Sequence, residues 1–340
     1  MKDLNVGIIG LGVMGELFAK LINQSKQAKL KALTDVAEEK VRHLAQEYRA
    51  DWYTDYEKML EDESLDVVYI TTPEDVHLDP ALKAIARKKH VFIEKPIAMT
   101  YRDGEQIVAA AEKAGICFMV GHVLRFDPRY IAIRDSIAAG ELGDLIHIFS
   151  RRNNYISTGR HVGKRASVTF WIGIHEIDVV QWVTGLKVES VFARGVKKRL
   201  ADLNMHDTIF TSAQFEKGTI GVFENSYALP QVQGERWSPS LYVTGTEGLL
   251  HLTPYQTGLR INKAENIGTI DPLYDMKGNV YGRITGVYQE ETEHFLECVR
   301  EGKTPIVSSR EALHAVAVAE AIDQSLVLGR EVTVAEIING

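Results

Sequence analysis

The sequence is poor in cysteine: only Cys117 and Cys298 occur in 340 residues. Two cysteines without partner spacing give no disulfide framework and no metal-ligand pattern, so no metal is expected and a reducing cytoplasm is the simplest setting. Long apolar runs are missing as well. None approaches the roughly 20 residues that span a bilayer, which argues against a membrane partner. The first apolar strand starts almost at Met1, so no leader peptide is expected ahead of it. Nor is there an excess of basic charge. Lys and Arg number 39 against 46 Asp and Glu, a net charge of -7, which is the wrong sign for a nucleic-acid partner. Arg87-Lys88-Lys89 and Lys197-Lys198-Arg199 read as solvated ends of elements. Internal repeats and low-complexity segments are absent. What remains is an ordinary balance of 45% hydrophobic and 25% charged residues, enough for two domains with their own cores.

The most telling stretch is Val6-Gly7-Ile8-Ile9-Gly10-Leu11-Gly12-Val13-Met14-Gly15. An apolar strand runs into a GxGxxG turn, and Leu11, Met14, Leu17, Phe18, Leu21 and Ile22 recur at helical spacing after it. Gly10 permits the tight turn, Gly12 lets the backbone approach a pyrophosphate, and Gly15 lets helix and strand pack closely. Small residues also gather in ordinary βα turns, so the second element matters. Lys29 to Asp35 reads as the next strand, and Asp35 lies twenty residues past Gly15. A carboxylate there binds the adenosine ribose hydroxyls and repels a 2′-phosphate, and neither Val36 nor Ala37 is basic. The pattern favours NAD over NADP, the competing role for Asp35 being a helix cap before Glu38.

Strand and helix patterns then alternate. Asp66 to Thr72, His90 to Ile93 and Ile116 to Val120 read as strands, with helices near Leu78 to Arg87 and Tyr101 to Ala114 between them. Five strands with intervening helices predict a Rossmann-type, doubly wound parallel sheet over residues 1–122. Its ligand crevice would lie at the carboxyl ends of the strands, at Gly10, Asp35, Thr71, Glu94 and Gly121. Beyond His122 the grammar changes. A helix over Pro128 to Ala139 leads to Leu145 to Phe149, a loop, and a helix over Ile172 to Thr184. The alternating segments Val188 to Val196, Thr208 to Phe215, Thr219 to Tyr227, Leu241 to Thr244 and Leu249 to Leu252 follow, with hairpin turns at Lys217-Gly218 and Glu247-Gly248. Residues 123–340 are therefore expected to form an α+β domain with a mostly antiparallel open sheet, closed by helices over Gln289 to Glu301 and Arg310 to Leu328.

Two residues draw attention for chemistry. Lys95 in Glu94-Lys95-Pro96 sits at the end of a crevice strand, and the proline holds it extended. It is either a solvated strand-end lysine or one desolvated enough to polarise a hydroxyl. His175 shares a helical face with Asp178 and Trp182; it suits general acid–base work, or it is a packed core histidine.

Glu94-Lys95-Pro96, Thr71-Thr72-Pro73 with His77, the glycine run, Gly121 with Arg125 to Pro128, and His175 to Asp178 with Trp182 and Gly185 stand in a particular order. In order and spacing they resemble the glucose–fructose oxidoreductase/inositol dehydrogenase/rhizopine catabolism family. The likeness runs nearly the whole chain, to Phe295-Leu296 and Ala319 to Ile322. It implies NAD(P)-dependent oxidoreduction of sugars, polyols or related compounds, and a second domain used for oligomerisation. It makes Lys95 and His175 the catalytic pair and implies a cis Lys95–Pro96 bond. The cofactor residues it implies are Gly10, Gly12, Val13, Met14, Gly15, Asp35, Thr71, Thr72, Pro73, His77, Glu94 and Lys95. The pattern departs at one place. An aspartate commonly stands four residues before the histidine, and Trp171 occupies that position here, so no catalytic triad is expected. Trp171 could stack on a sugar ring or the nicotinamide.

Arg151, Arg152, Arg160, His161, Lys164 and Arg165 crowd a stretch without acids. It is a solvated loop or intersubunit arm, or it recognises an anionic sugar through bidentate Arg contacts. Asn154, His122, Arg125, Trp171 and Asp178 are the candidate substrate residues. An interdomain salt bridge is the other role open to Arg125, and helix packing to Asp178. The expected protein is an NAD-dependent oxidoreductase moving a hydride between nicotinamide and a secondary alcohol or ketone of a sugar, polyol or derivative, as a homodimer or homotetramer. The alternatives are a non-catalytic NAD or metabolite sensor, an imine or enone reductase, and an elimination through transient oxidation.

Overall fold

The computed structural model describes residues 3–229, 239–253, 276 and 278–340, which cluster into two compact units. The first opens with β1 (Leu4–Ile9), α1 (Val13–Gln24), β2 (Ala28–Thr34), α2 (Glu38–Tyr48), β3 (Asp51–Tyr53) and α3 (Tyr56–Leu60). It continues with β4 (Val67–Ile70), α4 (Leu78–Ala86), β5 (His90–Ile93), α5 (Tyr101–Ala114) and β6 (Phe118–Val120). These strands form one parallel sheet in the order β3-β2-β1-β4-β5-β6, the doubly wound arrangement expected. The sheet has six strands rather than five. The added one, β3, spans three residues of which Asp51 and Trp52 are exposed, too short and too wet to leave an apolar pattern. The central strands show why they were legible: β4 is buried at all four residues, as a strand covered by helices on both faces must be.

The second unit contains α6 (Pro128–Ala138), β7 (Leu145–Tyr155), α7 (Ile156–Val162), α8 (Ile174–Thr184), β8 (Val188–Val196), β9 (Thr208–Phe215), β10 (Ile220–Leu229), β11 (Ser240–Gly245) and β12 (Leu249–Leu252). After a short hairpin of β13 (Gly278–Val280) and β14 (Arg283–Thr285), the chain ends with α9 (Val287–Glu301), α10 (Ser309–Leu328), β15 (Val332–Thr333) and α11 (Val334–Asn339). The larger sheet runs β12-β11-β7-β10-β9-β8-β15, and β7 with β10 is its parallel pair. The basic stretch is not a loop: Arg151 and Arg152 extend β7, and Arg160 and His161 lie on α7.

The units do not follow the chain linearly. Unit one comprises Met1–Val123 with Asn279–Leu313, and unit two comprises Leu124–Gly278 with His314–Gly340. A division between residues 122 and 123 does not include this return, in which α9 packs back on the first sheet. Phe295 of α9 lies 5.8 Å from Tyr69 and 5.7 Å from Phe92, ring centre to ring centre.

Candidate active site

The glycine turn is built for close approach. Gly10 has φ +93, and a Cβ there would lie 2.7 Å from the Thr72 nitrogen. Gly15 packs so tightly that a Cβ would fall 2.0 Å from the Gly10 carbonyl oxygen. Gly12 differs: a Cβ there would meet nothing within 4 Å, so its hydrogen faces open space. It is also the N-cap of α1 and supplies no side chain, leaving the first N–H groups of a twelve-residue helix, from Val13, Met14 and Gly15, open to an anion. Val13 itself is 77% exposed. Thr71 locks the turn from beneath, its hydroxyl donating to the Gly10 carbonyl at 2.5 Å.

Asp35 stands where β2 ends. Its Oδ2 accepts from Leu11 N–H at 2.7 Å and its Oδ1 from Ala37 N–H at 2.9 Å. These bonds fix the carboxylate beside the glycine turn and use two of about four lone-pair positions, leaving acceptors for a pair of hydroxyls. The groups present therefore fit a dinucleotide: an open glycine, an uncapped helix start and a fixed carboxylate.

Past β4, Thr72 carries a buried hydroxyl with no partner among the described residues. Pro73 starts a short 3-10 turn leading to His77, which is buried. His77 places Nδ1 2.9 Å from the Pro96 carbonyl and Nε2 3.2 Å from the Thr72 carbonyl, so it ties the β4 and β5 loops together. Burial holds its pKa below the usual histidine value. Glu94, buried at the end of β5, accepts from the Lys95 N–H through Oε2 at 3.0 Å. Lys95 is half-buried, and its bond to Pro96 is cis as the resemblance implied. Gly121 leaves room for this group, since a Cβ there would come 3.5 Å from Glu94 Cδ. His122 follows, buried.

In the second unit, residues Thr169–Gly173 form a single π-helical turn running straight into α8. Such turns are rare and concentrate at functional sites. This one carries Trp171 and delivers His175, half-buried, to the first turn of α8. Arg165 covers the Trp171 ring, its guanidinium carbon 5.3 Å from the centre. Buried Asn225 of β10 packs behind the turn: a Cβ on Gly173 would sit 2.8 Å from its Oδ1. No motif marks Asn225. The candidate substrate residues separate here. Arg125 and Asp178 pair with each other, Nε to Oδ2 at 3.0 Å and Nη2 to Oδ1 at 2.6 Å, in a buried bidentate bridge inside this unit. Asn154 turns its Oδ1 to the Tyr155 N–H and Thr158 hydroxyl. The basic set also divides. Arg152 is buried against Glu176 at 2.6 Å, and Arg160 pairs with Asp202 at 2.8 Å, acids that lie far off in sequence.

Comparison with known proteins shows the family. The description "Oxidoreductase family, NAD-binding Rossmann fold" matches residues 4–122, and "Oxidoreductase family, C-terminal alpha/beta domain" matches residues 134–334. The NAD(+)-dependent scyllo-inositol 2-dehydrogenase of Bacillus subtilis is 28% identical over 91% of this chain and 90% of its own. The 2,7-anhydro-N-acetylneuraminate hydratase of Escherichia coli is 26% identical over 98% of each chain. The fold matches the crystal structure of Lactobacillus casei scyllo-inositol dehydrogenase, which holds NAD(H) and scyllo-inositol, with a TM-score of 0.85 at 23% identity over 98% of this chain and 100% of that one.

Proposed function

This chain belongs to the NAD-binding GFO_IDH_MocA oxidoreductase family, and from that premise we propose that it moves a hydride between NAD and a secondary alcohol or ketone of a sugar or polyol. The observation that carries the cofactor is the cradle of open Gly12, uncapped α1 and Asp35 held by Leu11 N–H. When bound, NAD takes up the hydride that leaves the substrate carbon. The protein must supply the rest. Lys95 and His175 are the acid–base residues in this reading, exchanging the hydroxyl proton as the carbon is oxidised. Gly10, Gly12, Val13, Met14 and Gly15 bind the pyrophosphate, and Asp35 takes the adenosine ribose. Thr72 and Glu94 would meet the cofactor past their strands, while Thr71 and His77 hold the loops that carry them.

Substrate recognition falls to Trp171 with Arg165. A tryptophan in place of a carboxylate offers a flat apolar face to a sugar ring and no charge for an imidazole to lean on. Arg125 and Asp178 support α8 rather than the substrate, because their bridge occupies both. A redox-neutral conversion through transient oxidation is a second reading; the relative named as an anhydrosialate hydratase favours it.

The larger sheet presents Phe149, Val222, Phe192, Phe210, Ile220 and Tyr242 on one face, opposite the buried alternates Ile148, Phe223, Ile209 and Val243. Phe210 is 49% and Ile220 55% exposed, so this face supports a homo-oligomer. Both cysteines are free thiols, in keeping with a reducing cytoplasm. The test of function is NADH formation across neutral polyols, free sugars, uronates and nucleotide sugars, with Lys95→Met alongside. Turnover by the native chain and a loss of about 100-fold or more in Lys95→Met, with NADH binding kept, is expected. NADH binding with neither NADH formation nor chemical conversion of any sugar in the panel would instead support the sensor.

A further inference from the structure

The first unit holds a buried acid that no motif marks. Glu291 of α9 is wholly buried, and neither of its carboxyl oxygens has a partner among the described residues. Tyr288 and Phe295, one turn to either side on the same helical face, reach Phe18, Tyr69 and Phe92. Glu291 is therefore directed at the sheet, into its aromatic layer.

Its position along the strands follows from the direction of α9. The C-terminal part of α9, Cys298 and Val299, lines a cavity of about 350 Å³ with His90, Cys117 and Phe118, where β5 and β6 begin. The helix thus runs against the strands, and its N-terminal half points to their carboxyl ends. Phe295 meets Phe92; Glu291 lies four residues back along α9, about 6 Å. Glu94 lies two residues on along β5, about 6.6 Å, on the same face as Phe92. The face is confirmed at Gly121, where one added Cβ would touch both the Phe92 ring and the Glu94 carboxyl. Two buried carboxyl groups are thereby brought to one edge of the sheet, and the outer one accepts the Lys95 N–H.

Two anions cannot share so dry a place. We propose that Glu291 and Glu94 form a carboxyl pair holding one proton, resident on Glu291, and that Glu291 is a positioning residue. Its O–H donates to Glu94 through one bridging water and fixes Glu94 as acceptor for the Lys95 backbone at the cofactor edge. Burial pushes the Glu291 carboxyl well above its ordinary range, and the Glu94 charge pushes it the same way. Glu94, one residue past β5, and Tyr69 on β4 are the titratable groups that face it, since α1 offers the uncharged Phe18. The Tyr69 hydroxyl, also buried without a partner among the described residues, has its own pKa raised chiefly by burial.

The link to the cofactor rests on the NAD reading above; the shared proton does not. Infrared difference spectra of the cofactor-free protein near neutral pH, native minus Glu291→Gln, should show a protonated-carboxyl band that shifts in D2O. Its absence overturns the pair. Glu94→Gln should retain the band at a shifted frequency, because the acceptor has changed; an unshifted band also overturns the pair. NADH titration then tests positioning. Glu291→Gln keeps a donor and should bind within about threefold of native, whereas Glu291→Leu should bind about tenfold or more weakly with an unchanged circular dichroism spectrum. Equal binding by both variants overturns positioning. Failure of the native chain to bind NADH would sink the cofactor reading while the infrared result still decides the pair.

Discussion

Arg125 donates two hydrogen bonds to Asp178 out of reach of water, and the Trp182 ring centre lies 5.8 Å from the guanidinium carbon. Removing one partner strands a charge, which costs more than the pair itself contributes. Arg125→Met should destabilise the protein by about 3–5 kcal/mol in urea unfolding, and adding Asp178→Leu should recover most of it. A cost below about 1 kcal/mol would mean that water reaches the site. Both residues were singled out from sequence for the substrate site. Their pairing was not legible there, because 53 residues separate them and each alone looks like a site charge. Glu291 is the reverse case. It sits in the run Gln289-Glu290-Glu291, where it reads as one acid of a solvated helix face, and only the packing of α9 removes it from water.

At the scale of elements, the glycine turn makes a sharp division between fold and function. Gly12 has φ -64, a value open to any residue, and space beside it. Gly12→Ala should therefore keep the native melting temperature yet weaken NADH binding by about tenfold or more, as the methyl enters the pyrophosphate's place. Gly15→Ala meets backbone 2.0 Å away and should cost about 1–3 kcal/mol before any cofactor is added. A thermal melt and a fluorescence titration on both variants separate the two roles. The π turn before α8 was not foreseen, because nothing in Thr169–Gly173 differs in pattern from an α-helical start. Asn225 stands against Gly173 in this turn, a contact that only the tertiary structure shows.

At the scale of the whole molecule, the open face of the larger sheet is the feature with a consequence for assembly. Ile220→Lys with Phe210→Lys places charge at two exposed apolar sites without touching the buried alternates. Sedimentation should show the native chain as an oligomer and the double variant as a monomer with unchanged secondary structure. A monomeric native chain would remove this face from any assembly.

Local chemistry was enough to determine five of the six strands of the first unit's sheet, the glycine turn and the hairpins of the second. Each is written in neighbouring residues: apolar runs for strands buried on both faces, glycines where a backbone must come close, alternation where one face is wet. Three-dimensional packing decided the rest. It returned α9 to the first sheet, joined Arg125 to Asp178, gave Arg152 to Glu176, and buried Glu291 on the face that carries Glu94. These are contacts between residues far apart in the chain, and a charged side chain becomes structural or chemical only when its neighbours decide whether water can reach it.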